Sequence, residues 1–280
     1  MKYGVVVHGG AGSPPSLADG TARAADIAFQ RLGANILAVD AVAQAVAYME
    51  DDDRFNAGTG SVLRFDGSAY MDAAIMTSEG ECGAVAYLTS TKNPVLVAKE
   101  VLRTPHIVLV ADGAKEFARL KGFGEYDNTT EKAGERLRRG IEEYRNGQRP
   151  AWPRNWKNYT VDTVGAVVMD SYGNFAAANS TGGTFPALKG RVGDVPLIGC
   201  GIFAGRRGAV AATGIGEEII RKVLSKTVYD CIDQGMHPQD AVEKGVNLYE
   251  RSVNVGIIAI SEQGIGEAAT GEMAYTGKSL

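Results

Sequence analysis

Apolar runs in this chain come in blocks instead of alternating one by one. Strand-like segments give way to helical ones and then to strands again, and this order is run through twice, on either side of a polar break. Strict alternation of strand and helix builds parallel sheets from βαβ units. Blocks of this kind instead favour α+β layers around a mostly antiparallel core.

In the first block, residues 3–8 form a β-branched run ending in HGGAGS. Helical periodicity covers about residues 22–32 and about residues 40–50. In the second of these Val42, Ala45, Val46 and Met49 share one face, and Asp40 is placed to cap the N-terminus. Asp51, Asp52 and Asp53 end that helix, and FNAGTG follows as a loop. SVLRF and SAYMDAAIM flank Asp66-Gly67, a strong hairpin signal. VAYLTS and HIVLVA are further strands, with a helix at about residues 94–102 between them. The break comprises EKAGERLRRGIEEYRN, polar and weakly helical, and GQRPAWPRNWKNYTV, which carries two prolines and two tryptophans. It reads as an exposed excursion within one domain spanning residues 1–280. The second block has strands TVGAVVMD, NFAAANS, PLIGCGIFA and GAVAATG. Helices follow at about residues 216–234 and 238–249, then strands VGIIAIS and GIGEAAT.

Composition narrows the classes of function. With 280 residues, 45% apolar and 22% charged, the chain has the make-up of a soluble globular protein. A net charge of −4 offers no electrostatic case for nucleic acid or an anionic membrane. No run suits a signal peptide or a spanning helix. Cys82, Cys200 and Cys231 lack CxxC spacing, so neither a zinc site nor a disulfide framework is expected. A cytoplasmic, reduced protein is the expectation.

The pair Asp162-Thr163, at the entrance of TVGAVVMD, is more than a strand requires. A threonine hydroxyl is a weak nucleophile without a base beside it. An N-terminal threonine brings that base as its own α-amino group, with an ordinary pKa of roughly 7.7–8.0. Scission of the Asp162–Thr163 bond would create that terminus, leaving segments 1–162 and 163–280. If TVGAVVMD turns at SYGN into FAAANSTGG, a three-residue turn sets Thr163 across from Thr181, and a two-residue turn shifts it by one. In GRVGD, Arg191 and Asp194 would grip the carboxylate and ammonium of an α-amino acid, the guanidinium bidentately. In ATGIGEE, Thr213 and the Gly214 N–H would stand at a helix start, aimed where negative charge develops. Taken singly, these pieces are equally an ordinary strand residue, a turn, a surface ion pair and a capped helix.

Together, HGGAG, FNAGTGSV, TVGAVVMD with NSTGG, GRVGD and ATGIGE resemble the plant-type asparaginases and isoaspartyl peptidases. These are threonine members of the N-terminal nucleophile hydrolases. The resemblance covers nearly the whole chain. It implies a four-layer αββα sandwich, self-cleaved into two subunits that stay together, and a homodimer of such αβ pairs. It implies Thr163 as nucleophile, Thr181 as its supporting hydroxyl and Asn56 beside them. It further implies Arg191, Asp194 and Gly216 as substrate ligands, and Thr213 with Gly214 as oxyanion hole. No catalytic cofactor is implied, only a structural sodium on the main-chain carbonyls of Met49, Glu50, Asp52, Phe55, Ala57 and Thr59. The substrate would be L-asparagine or a β-aspartyl dipeptide.

Three departures bear on this. Asp162 stands where the asparaginase branch usually has glycine, as in glycosylasparaginases and threonine aspartases. NVGIIAI lacks a Gly-Gly before its strand, which bears on the pocket near Asn254–Gly256. The break between the two blocks is compact. A phosphate-binding reading of HGGAGS lacks the Walker lysine and GxGxxG spacing. A serine or cysteine hydrolase would need His8, His106 or His237 in a triad context that none of them has. His8 reads as a strand-end residue hydrogen-bonded to backbone. Without scission, the chain would bind an amino acid but lack its base.

Overall fold

The computed structural model describes residues 2–147 and 163–280. Its first block runs β1 (Gly4–Ala11), α1 (Ala18–Gly33), α2 (Ala38–Asp51), β2 (Met71–Thr77) and β3 (Cys82–Leu88). It continues with α3 (Pro94–Val101), β4 (Val108–Val110), α4 (Ala111–Leu120) and α5 (Glu131–Arg145). The second holds β5 (Val164–Met169), β6 (Phe175–Thr181), β7 (Ile202–Gly205), β8 (Gly208–Gly214) and the helices α6 (Gly216–Lys222), α7 (Leu224–Asp233) and α8 (Pro238–Val246). It ends with β9 (Val255–Ser261), β10 (Gly264–Ala269) and β11 (Met273–Ser279).

Two sheets form, in the orders β11-β1-β5-β6-β2-β3-β4 and β10-β9-β8-β7. All described pairings are antiparallel except β3 with β4. Central strands are buried on both faces, which is why they read as continuous apolar runs. Along β1, Val5 and Val7 join α1 and α2 in one core, while Val6 faces the other sheet. In β5 the helix side takes Val164, Ala166 and Val168, and the inter-sheet side takes Val167 and Met169. In β9 it is Ile258 and Ile260 that fill the inter-sheet layer, with Ile257 packed towards α7 and α8. Each fully buried aliphatic chain of this kind contributes about 1.5–3 kcal/mol. The layers are therefore helix, sheet, sheet, helix, an α+β sandwich.

Several expectations need correction. The N-cap of α2 is Leu37, with Asp40 one turn inside, paired to Lys99. The free Ala38 N–H is met instead by Asp170 Oδ2 at 3.1 Å, from the far end of β5. SVLRF is no strand; a single bridge, Leu63 to Ala69, closes around Asp66-Gly67. Of PLIGCGIFA only the last three residues lie in a strand, at the start of β7. The long helix expected after Gly216 is two, broken where Val223 takes φ 46°. The final helix ends at Val246. α4 and β11 carried no sequence expectation.

Candidate active site

The β5–β6 hairpin sets the first half of the site. Val164 pairs with Ser180 and Met169 with Phe175. Asp170 N donates to Asn174 O at 2.9 Å around Ser171, Tyr172 and Gly173. Asp170 Oδ1 accepts the N–H groups of Tyr172 and Asn174. The three-residue turn is thus the one formed, and its register brings Thr163 opposite Thr181. Both are 3% exposed. Asp162 lies outside the described residues.

Beyond Thr181 the chain is laced to the FNAGTG loop. Thr181 Oγ1 accepts Gly183 N at 3.0 Å. Asn56 Nδ2 donates to Gly183 O at 2.7 Å, and its Oδ1 accepts Val62 N at 2.9 Å. Asn56 O accepts Gly182 N at 2.9 Å. Asn56 therefore fixes the backbone that carries Thr181.

The second sheet supplies the other half. Thr213 Oγ1 accepts Ala11 N at 3.2 Å, tying β8 to β1 and leaving its own proton to be donated. Thr213 and Gly214 are the last residues of β8; α6 begins two residues later, at Gly216. Gly214 has φ 134°, and the Asn254 carbonyl occupies the space of any side chain there. Asn254 O accepts Ile215 N at 3.0 Å, and Asn254 Nδ2 donates to Ala11 O at 3.0 Å. That asparagine joins three strand ends, those of β1, β8 and β9. Asn179 also crosses between sheets, donating to Gly201 O and Ala212 O at 3.0 and 2.8 Å.

Arg191 and Asp194 come together across Gly216. A Cβ on Gly216 would lie 2.8 Å from Asp194 Oδ1 and 2.9 Å from Arg191 Nη2. Asp194 is 5% exposed, and its Oδ2 has no partner. Burial pushes its carboxyl up to about 7, against the pull of Arg191. Arg191 differs from expectation in one respect. Its fork already engages Glu217, with Nε to Oε1 and Nη2 to Oε2 both at 3.0 Å. Only the Nη1 side remains for a further carboxylate. Burial opposes ionisation of Glu217, but Arg191 holds its carboxyl below the usual range. Sequence reading left Glu217 unassigned because a glutamate in a first helical turn is unremarkable.

Two further buried groups complete the surroundings. Asp72, paired in register with Thr181, accepts Tyr87 N at 2.8 Å and Gly193 N at 3.4 Å, and so supports the loop bearing Arg191. His8 is fully buried where the pairing of β1 with β5 ends, with the Thr163 backbone and the Asn179 side chain as its polar neighbours, although neither ring nitrogen reaches full hydrogen-bond geometry. Burial drives its pKa down to about 4, with the Asn179 side chain and the Thr163 backbone acting weakly the other way. Burial therefore favours the neutral imidazole.

At the C-terminal end of α2, carbonyls crowd around two glycines. A Cβ on Gly60 would run into the carbonyls of Phe55 and Asp53, and one on Gly58 into that of Glu50. Asp52 O and Ala57 O each accept a loop N–H, from Phe55 and Gly60 at 3.1 Å. The last carbonyls of a helix lack internal partners and carry its negative dipole end, a setting that suits a cation. Among the described residues, no group of three or more His, Cys, Asp or Glu is placed to hold a metal.

This layered sandwich, with a threonine entering one sheet and polar groups converging from both, is the architecture of the N-terminal nucleophile hydrolases. A family model described as asparaginase matches residues 1–277, and the chain belongs to that family. It is similar to a plant-type L-asparaginase of Pyrococcus horikoshii, 39% identical over 290 residues covering 97% of this chain and 94% of that protein. An isoaspartyl peptidase/L-asparaginase of Danio rerio is 38% identical over 273 residues, covering 93% and 86%.

Proposed function

We propose that the chain cleaves its own Asp162–Thr163 bond and then uses Thr163 to hydrolyse β-aspartyl amides. L-asparagine and β-aspartyl dipeptides are the substrates and L-aspartate the product. The observation that carries this is the unpartnered, buried Asp194 carboxylate oxygen beside Arg191 across Gly216. It is a place for an ammonium next to a place for a carboxylate.

In maturation the Thr163 hydroxyl attacks the Asp162 carbonyl, the C–N bond breaks, and an ester with a free Thr163 amine results. Water then hydrolyses the ester, leaving segments 1–162 and 163–280 together in one fold. In turnover the amine takes the proton of its own hydroxyl as Oγ attacks the substrate side-chain carbonyl. Thr181 supports the nucleophile, and Asn56 holds the Thr181 backbone. The Thr213 hydroxyl and the Gly214 N–H receive the oxyanion, where a single good donor is worth about 10²–10³ in rate. The proton passes to the leaving amine, a β-aspartyl ester remains, and water activated by the Thr163 amine releases aspartate.

A sodium on the carbonyls of Met49, Glu50, Asp52, Phe55, Ala57 and Thr59 would brace the loop that presents Asn56; it supplies no chemistry. The exposed apolar side chains Val108 and Val110 of the edge strand β4, with Ile107 just before it, support a homodimer of αβ units. The three unpaired cysteines suit a reducing cytoplasm. No helix among the described residues is long and apolar enough to cross a membrane.

N-terminal sequencing of purified protein should find Thr-Val-Gly-Ala, and aspartate should be released from L-asparagine and β-aspartyl-leucine. A glycosylated asparagine serves as the contrasting substrate suggested by Asp162. One intact species with full activity would contradict the mechanism.

A further inference from the structure

Beside the Arg191 loop lies a cavity of about 240 Å³ that the reaction as described does not use. Its walls include Arg64, Phe65, Tyr70, Tyr87 and Leu188. Tyr70 and Tyr87 stack with ring centroids 4.1 Å apart, giving it a rigid aromatic side. Tyr87 also joins it to the site, because its hydroxyl accepts Gly190 N at 2.8 Å, one residue before Arg191.

Arg64 is the unusual wall. It is 5% exposed, yet its Nη1 has no hydrogen-bond partner. No described carboxylate stands within ion-pair distance of it; Asp72 and Asp66 act only through space. Its guanidinium presses against Gly183, whose N–H is held by Thr181 and whose carbonyl is held by Asn56. The other charges at this cavity are Lys189 and Asp66, both at its exposed rim. Buried charges are normally paired and hydrogen-bonded. A desolvated guanidinium with an unpaired donor, packed against the glycine two residues after Thr181, is built for an anion that arrives with the substrate. In a β-aspartyl dipeptide the carboxylate of the departing residue sits two bonds from the nitrogen that leaves. L-asparagine has no such group.

We propose that this cavity is the leaving-group subsite and that Arg64 binds the α-carboxylate of the residue released from a β-aspartyl dipeptide. This rests on the reading of Thr163, Arg191 and Asp194 given above. It makes Arg64 a specificity residue that favours free dipeptides over amides whose leaving group is uncharged.

The test compares kcat/KM on β-aspartyl-leucine and on β-aspartyl-leucinamide, with L-asparagine as a third substrate, in wild type and Arg64→Met. A charge-assisted hydrogen bond lost on one substrate alone changes the ratio about 10- to 100-fold. Wild type should prefer the free acid by that factor, and Arg64→Met should bring the ratio close to one. Arg64→Gln is the second variant should Arg64→Met fail to fold, with thermal melting as the check. A wild type that treats acid and amide alike overturns the proposal. So does a variant that loses equally on both, which would make Arg64 merely structural. Equilibrium dialysis of L-leucine against L-leucinamide decides the subsite without turnover. Tighter leucine binding by wild type than by Arg64→Met supports it, and equal binding sinks it. Failure of wild type on all three amides would instead strike the catalytic reading.

Discussion

Gly216→Ala separates the grip on the substrate from everything else in the fold. The added methyl would sit 2.8 Å from Asp194 Oδ1 and 2.9 Å from Arg191 Nη2, with the Asp194 N 3.3 Å away. Real side chains essentially never approach so closely, and neither neighbour has room to retreat. Asp194 is buried, and Arg191 is pinned by two 3.0 Å bonds to Glu217. The backbone itself tolerates alanine, since Gly216 opens α6 with a φ outside the left-handed region. Alanine even favours the helix, by up to about 1 kcal/mol. What is lost is the space between ammonium and carboxylate ligands. Two charge-assisted contacts at about 1.5–3 kcal/mol each amount to about 3–6 kcal/mol. That corresponds to about 10²- to 10⁴-fold in kcat/KM on L-asparagine, read by aspartate release. Scission before Thr163 needs no amino-acid grip, so sequencing should still find Thr-Val-Gly-Ala, while the overpacking itself should cost about 1–3 kcal/mol of stability, read as a lowered melting temperature. A processed, folded Gly216→Ala enzyme within tenfold of wild type would refute the assignment of this gap as the amino-acid site.

Thr163→Ala should abolish both scission and turnover, and survival of either on a gel or in the aspartate assay removes that threonine from its role. Asp194 must be ionised to hold an ammonium, and its pKa is pushed up to about 7. The kcat/KM on L-asparagine should therefore climb as pH rises through about 7. The Thr163 amine, ordinarily near 7.7–8.0, acts in the same sense; a flat profile from about pH 6 to 8.5 would exclude both. Glu50 is fully buried, and burial raises its pKa from 4.5 to about 8. Between those values the folded chain holds a proton that the unfolded chain has lost, so stability declines as pH rises through that window. Glu50→Gln keeps the acceptor for Val95 N, now 2.9 Å from Oε1, and should flatten the melting temperature across it. An unchanged slope would locate the titration elsewhere.

Local pattern carried the sequence as far as local forces reach. The β5–β6 pair was readable to within one residue, because its apolar runs mark the strands but leave the turn at SYGN as two or three residues, and the structure forms the three-residue turn. The first turn of α2 was misjudged because its cap, Asp170, comes from another segment altogether. α4 follows β4 without any intervening loop, so nothing punctuates its start. β11 is a half-exposed edge strand of mixed character, MAYTGKS, with no apolar run to announce it. Each site motif was visible singly. The bonds that assemble them, Arg191 to Glu217, Asn254 to Ala11 and Asn179 across to Ala212, depend on packing between distant segments. No periodicity encodes those.

The glycines explain how two sheets can bring so many polar groups to one edge. At Gly165 the space of a side chain is filled by Asn179 Oδ1 and His8 Nε2, and at Gly182 by Asn56 Oδ1 and Ser61. At Gly183 it is Arg64, and at Gly216 Asp194 with Arg191. Every one of these glycines stands within a motif that drew notice as sequence, and at every one a polar side chain fills the space of a Cβ; Gly183 in addition has φ 77°, in the left-handed region. A strand end that must admit a guanidinium, an amide or a carboxylate edge-on cannot carry a Cβ there. Among the 36 glycines of the chain, this group is the one arranged around the threonine pair. On that reasoning a strand-interior Gly165→Ala should be among the costliest single methyl additions in the chain, because the two groups it strikes, Asn179 and His8, are both fully buried.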